Sequence, residues 1–136
     1  MVQFLSYYQA LQANRRAVFG GEKDQLRNAV EQCISSQELR DFLGDDERMR
    51  YYNDLDSQKI STVRLTAGSA DHRNDVALRV YEIRNRIVHT KSEHENLDPL
   101  LPLDPEVDLL RHDIEVVRFL ARKVLTASAR PLNDRL

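Results

Sequence analysis

Between Val107 and Val124 the residues Val107, Leu110, Ile114, Val117, Ala121 and Val124 recur at alternating spacings of three and four. At about 100° per residue this spacing draws one continuous apolar stripe along a helix, which the two-residue alternation of a strand cannot reproduce. Asp104-Pro105-Glu106 in front of it reads as a helix start. It offers a capping acid, a proline in the first turn and a second acid near the positive end of the helix dipole. The helix is expected to stop before Arg130-Pro131, because the residue before a proline avoids the helical region. A second long helix is expected from His72 to His89 behind a capping Asp71. Its apolar stripe is Val76, Val80, Ile83 and Ile87, broadened by Ala77, Tyr81 and Val88.

The remaining segments read as shorter helices. Val2, Leu5, Tyr8 and Leu11 form a helical stripe over residues 2–13, widened by Phe4 and Tyr7 and ended by Gly20-Gly21. A helix from Asp24 to about Ile34 would bury Leu26, Ala29, Val30 and Cys33. Ser35 to Glu38 has the spacing of a capping box and opens a helix ending near Gly44. Asp45 to Tyr52 adds a turn or two. Residues 54–70 read as loop, although Lys59 to Leu65 alternates like a short strand. Pro99, Pro102 and Pro105 mark a stiff connection between the long helices. Four glycines and four prolines are too few for the tight turns of a sandwich or barrel. The expectation is one all-α domain over residues 1–136: a helical bundle with two long helices packed antiparallel and shorter ones beside them.

Composition excludes several functions. At 136 residues the chain is too short for a two-domain nucleotide-dependent enzyme or an eight-stranded α/β barrel. Its single cysteine, Cys33, rules out an internal disulfide framework and a multi-cysteine zinc site. A lone thiol fits a reducing, cytoplasmic compartment. No apolar run approaches the ~20 residues of a membrane span, and Met1-Val2-Gln3-Phe4-Leu5 lacks the basic region of a secretory signal. Because the chain starts almost inside its first helix, it is read as suiting a domain of a longer polypeptide with other domains as partners. The net charge of −2 argues against a general DNA coater. The charge is nevertheless uneven. Lys59 to Lys91 holds seven basic residues against three acidic ones, a local excess of four positive charges, so a polyanion is drawn to the middle of the chain.

Within the helix from Asp71 to His89, Arg84 falls in the apolar sector, where a guanidinium is costly without partners or a cleft. Leu78, Glu82, Asn85 and His89 stack along the opposite side. Arg84 and His89 diverge by roughly 140° around a regular helix, so a second copy of the chain could complete the pair across an interface on the Leu78–His89 face. Arg84-Asn85-Arg86-Ile87-Val88-His89, between Val80-Tyr81-Glu82-Ile83 and Thr90-Lys91, resembles the R-N-x-x-x-H signature of the HEPN superfamily. The setting is similar to that of prokaryotic defence and toxin domains, including ApeA-like anti-phage effectors.

This resemblance implies a bundle of four to five helices that forms a homodimer with two Arg–His motifs beside one cleft. It implies a metal-independent endoribonuclease without a cofactor. His89 would be the general acid or base, Arg84 would neutralise the scissile phosphate, and Asn85 would orient the site. RNA carries its own nucleophile in the 2′-hydroxyl, and an imidazole titrates near neutrality. The expected products are a 2′,3′-cyclic phosphate and a 5′-hydroxyl. Arg79, Arg86 and Lys91, from the basic segment around the motif, are expected to contact the RNA. Toxins of this family that pair with nucleotidyltransferases often carry a tyrosine where Lys91 stands, so modification by that route is not expected.

Two other readings compete. A HEPN-like module could dimerise or hold RNA without cutting it, with Arg84 tying helix ends together. Alternatively, His89, Glu93, His94 and Glu95 could ligate a metal, although their spacing fits no helical ligand pair. His72 and His112 read as surface or helix-end residues, Cys33 as a small core residue. Tyr7, Tyr8, Tyr51 and Tyr52 read as filling the core edge rather than stacking on bases.

Overall fold

A computed structural model describes residues 1–13, 21–44, 46–66, 68–88, 100, 101 and 104–134. Among these described residues lie seven α-helices: α1 (Val2–Ala13), α2 (Glu22–Cys33), α3 (Ser36–Leu43), α4 (Asp46–Tyr52), α5 (Leu55–Ile60), α6 (Arg73–Val88) and α7 (Leu110–Asp134). A 3-10 turn at Pro105–Leu109 precedes α7. The fold is all-α, with no strand among the described residues. The helix number exceeds four to five because α3, α4 and α5 span only eight, seven and six residues. Lys59 to Leu65, which alternates like a strand, instead ends α5 and continues as an unpaired extended segment.

The core draws on all seven helices, most of it from α1, α2, α3, α6 and α7. Phe4, Tyr8 and Leu11 of α1 are buried while Val2 is 79% exposed, so the stripe is centred on Phe4 rather than on Val2 and Leu5. Leu26 and Val30 of α2 and Leu39 and Leu43 of α3 join Val80 and Ile83 of α6 and Leu110, Val117, Leu120 and Val124 of α7. Phe42 of α3 stacks on Phe119 of α7 with ring centroids 4.1 Å apart. The closest pairings are α1 with α7 and α2 with α6; α6 and α7 are not a closely packed pair. This corrects the expectation that the two long helices pack on each other. Between them lies a buried ion pair, Arg79 to Asp113, whose long guanidinium side chain needs more room than interdigitated apolar residues.

The helix ends follow local chemistry. Ser35 Oγ accepts the Glu38 amide and the Glu38 carboxylate accepts the Ser35 amide, a complete capping box for α3. Asp71 Oδ1 accepts the Arg73 amide at 3.0 Å and so caps the start of α6. Asp104 behaves differently: its carboxylate accepts the Leu101 amide at 2.8 Å, and the chain behind it enters a 3-10 turn before α7 begins. At the far end α7 runs through Pro131 to Asp134. Proline costs less there than in mid-helix, because few backbone hydrogen bonds remain to be disturbed.

Arginines close three helix C-termini, where the last carbonyls lack intrahelical donors. Arg73 Nη1 donates to the Glu31 and Ile34 carbonyls at the end of α2. Arg48 Nη1 donates to the Phe42 carbonyl in the last turn of α3. Arg86 Nη1 donates to the Lys59 and Ile60 carbonyls at 2.6 and 2.9 Å, closing α5. The extended segment after α5 then runs beside α6, held by the Thr62 amide and hydroxyl on Glu82 at 2.7 and 2.8 Å.

Candidate active site

Arg84 and Asn85 lie in the last turn and a half of α6. His89 and Lys91 fall outside the described residues, as do Glu93, His94 and Glu95 of the alternative metal group. Arg84 is half-buried. Its Nη1 donates to Asn85 Oδ1 at 3.0 Å and stands 3.8 Å from Glu22 Oε2 at the start of α2. Its guanidinium carbon is 5.8 Å from the centre of the Tyr8 ring, a cation–π geometry. Tyr8 in turn donates its hydroxyl to Glu22 Oε1 at 2.8 Å, and Gln12 Nε2 donates to the Tyr8 oxygen at 3.3 Å. Burial first, then the hydrogen bond to Glu22, raises the Tyr8 hydroxyl above the ordinary tyrosine value. It therefore stays protonated and serves as a fixed donor to Glu22.

Arg79 does not reach the surface. It is 2% exposed, and its Nε and Nη2 form a two-pronged pair with Asp113 at 2.7 and 2.9 Å. Nη1 also donates to the Val63 carbonyl and Nη2 to the Ser57 carbonyl, both at 3.2 Å. Tyr51 and Tyr52 donate their hydroxyls to the two oxygens of Asp113 at 3.3 and 3.2 Å. The Arg79 guanidinium lies 5.0 Å from the centre of the Tyr52 ring. Burial works to lower the Arg79 pKa, but the facing Asp113 carboxylate outweighs it and raises the group above its ordinary value. Burial, reinforced by Asp113, also raises both tyrosine hydroxyls, so the network holds neutral tyrosines around one ion pair.

Arg86 is buried too, and its bonds to the α5 carbonyls take it away from solvent. The expectation that Arg79 and Arg86 contact RNA is therefore corrected, because both are structural cations satisfied inside the fold. Val76, Ala77, Val80 and Ile83 are buried as the stripe predicts, and the buried face of α6 also takes in Arg79, Asn85 and Arg86. Val76, Arg79, Ile83 and Arg86 share that face, and Arg84 turns toward α1 and α2 instead.

The face of Leu78, Glu82 and Asn85 is partly covered by the chain's own extended segment. Glu82 is engaged by Thr62, and Asn85 is buried. Val88, 45% exposed, is the large apolar residue of α6 left open to solvent. His72 is buried rather than superficial, at the N-terminal end of α6. His112 stacks on Tyr51 with ring centroids 3.9 Å apart. Tyr8, Tyr51 and Tyr52 are buried, as read for the core edge, and Cys33 packs against the core.

Among the described residues no three histidine, cysteine or carboxylate side chains gather as a metal site. Within the same residues no helix is long and apolar enough to cross a membrane. Glu22 and Asp113 escape notice in the sequence, because nothing local marks an acid at a helix start or in an apolar stripe as the partner of a distant arginine. Comparison with protein-family models, curated proteins and solved structures finds no match to the chain.

Proposed function

We propose that the chain is a metal-independent endoribonuclease domain of a defence or toxin system, with Arg84, Asn85 and His89 as its working residues. One observation carries the reading. Of the four arginines of α6, Arg73, Arg79 and Arg86 donate to backbone carbonyls of other segments, whereas Arg84 bonds to the Asn85 side chain at a half-open position. A guanidinium hydrogen-bonded to a neutral amide, with its nearest carboxylate oxygen 3.8 Å away, stays available to a phosphodiester and arrives pre-oriented. In this reading His89 takes the 2′-hydroxyl proton or protonates the leaving oxygen, and Arg84 stabilises charge developing on the phosphoryl oxygens. Two copies of the chain meet near the C-terminal end of α6.

The test is cleavage of a mixed single-stranded RNA. Wild type should cut in the presence of EDTA and leave a 2′,3′-cyclic phosphate. His89→Ala should lose about 10²–10⁴-fold in rate while RNA binding persists. A folded His89→Ala protein that cuts like wild type, or activity lost to EDTA and restored by manganese, would reject the mechanism.

A second reading is favoured by the contacts of Arg84 with Glu22 and Tyr8, which tie α6 to α2 and α1. In a non-catalytic dimerisation or RNA-binding module those ties are the purpose of the residue. Arg84→Ala would then lower the melting temperature with no RNA cut by any variant.

A further inference from the structure

We propose that Glu22 is the resident counter-ion of Arg84, holding the guanidinium until an RNA phosphate displaces it. The inference rests on the reading of Arg84 as a phosphate-binding residue. The two oxygens of Glu22 are unequally held. Oε1 accepts the Tyr8 hydroxyl at 2.8 Å, and Gln12 donates to Tyr8 behind it. Oε2 stands 3.8 Å from Arg84 Nη1, within ionic attraction but beyond a normal hydrogen bond. The carboxylate is thus anchored from the α1 side and only loosely attached to the cation. Both side chains keep contact with solvent, Arg84 at 24% and Glu22 at 30%, so an anion can approach the pair.

A phosphodiester presents two oxygens that match the guanidinium fork, a geometry that one carboxylate oxygen at 3.8 Å does not reach. Glu22 also repels the incoming phosphate through its own charge. Binding at Arg84 is therefore a competition. A polyanion held by further contacts wins it, and a simple monovalent anion does not. Because Tyr8 stays protonated, the Tyr8–Glu22 anchor persists across ordinary pH. Glu22 acts here as a positioning and selectivity residue, and nothing in this argument requires it to touch the reacting atoms.

The experiment measures binding of a fluorescein-labelled single-stranded RNA by anisotropy across a salt series. The proteins are wild type, Glu22→Gln, Tyr8→Phe, Arg84→Ala and the Glu22→Gln/Arg84→Ala double variant, each checked by thermal melt. Glu22→Gln should bind ~3–10-fold tighter at low salt, because a charge repelling the phosphate has gone. Its log–log salt slope should change by less than the roughly 0.7 of one phosphate contact, because Arg84 meets a phosphate in both proteins, whereas Arg84→Ala should flatten the slope by about that amount. Tyr8→Phe, which frees Glu22 from its anchor, should shift affinity in the same direction by less. In the Arg84→Ala background the Glu22→Gln gain should vanish.

The proposal is overturned if folded Glu22→Gln binds no tighter than wild type, if the gain survives without Arg84, or if neither wild type nor Glu22→Gln binds RNA. Should Glu22→Gln fail to fold, Tyr8→Phe decides by the same criterion. Cleavage is scored separately. RNA bound more tightly by Glu22→Gln through Arg84 yet never cut rejects the nuclease reading and leaves the counter-ion standing. Cutting by wild type without a Glu22 effect does the reverse.

Discussion

Arg79 and Asp113 are 2% and 1% exposed, and each would be untenable in the core alone. Together with Tyr51, Tyr52 and the Ser57 and Val63 carbonyls they satisfy one another. Asp113→Asn should destabilise the protein by about 3–5 kcal/mol, because it strands a buried guanidinium. Urea unfolding monitored by helical circular dichroism measures this as a fall in midpoint at constant slope. Combining Arg79→Met with Asp113→Leu should recover part of the loss. Recovery stays incomplete because the Val63 carbonyl loses its guanidinium donor and the Tyr51 and Tyr52 hydroxyls keep only their longer 3.4 Å bonds to the Leu109 and His112 carbonyls. A wild-type midpoint in Asp113→Asn would show that water reaches the pair and that the network is not the tie it is described as. Sequence reading put Arg79 on an RNA surface because a basic residue in a basic segment looks exposed until its partner, thirty-four residues away, is placed beside it.

Helix boundaries depend on caps, and caps are the part of this fold most open to reading from the chain. The Ser35–Glu38 box was legible because both halves lie within one turn. Glu38 also takes a 2.7 Å ion pair from Lys123 of α7, and that bond, followed by the Ser35 amide, holds its carboxyl below the usual range. Ser35→Ala should therefore remove the cap and leave the Lys123 contact, costing about 1 kcal/mol of stability. A thermal melt in which Ser35→Ala is indistinguishable from wild type would mean that α3 is held by its packing and the Lys123 contact without need of the cap. The C-termini of α2, α3 and α5 were not legible, since their donors Arg73, Arg48 and Arg86 come from other elements. Helix α5 reads as loop in the sequence for the same reason. Six residues are too few for a helix to stand on its own propensity, and its end is completed by α6.

At the scale of the whole molecule, α1–α7 and α2–α6 are the close pairs, and Arg79–Asp113 bridges what lies between α6 and α7. The proposed homodimer belongs to this scale. Thr62 of the chain's own extended segment occupies Glu82 and Asn85 is buried, so the contact is expected at the end of α6 around the exposed Val88. Leu101, also exposed, lies at the same end, because the Leu100 amide donates to the Arg86 carbonyl at 2.8 Å. Light scattering at tens of micromolar should give twice the 15.8 kDa chain mass. Val88→Glu should return the protein to monomer without lowering its melting temperature at low concentration. A monomer mass for wild type at that concentration would remove the two-copy site.

The all-α class, the two long helices and the α3 cap can be read from the chain alone. All three follow from periodicity and from bonds spanning three or four residues, which a chain carries wherever it goes. The resemblance to the R-N-x-x-x-H motif also singles out Arg84 and Asn85, although helical projection sets them in different sectors of α6. Which arginines of that helix serve the core, and which one faces a carboxylate near solvent, depends on contacts between distant segments. Arg79, Arg84 and Arg86 are chemically the same residue within eight positions. Their fates were set by Asp113, Glu22 and the carbonyls of Lys59 and Ile60. The free energy of a guanidinium depends on what desolvates it and what accepts its protons, and both are supplied by parts of the chain distant in sequence.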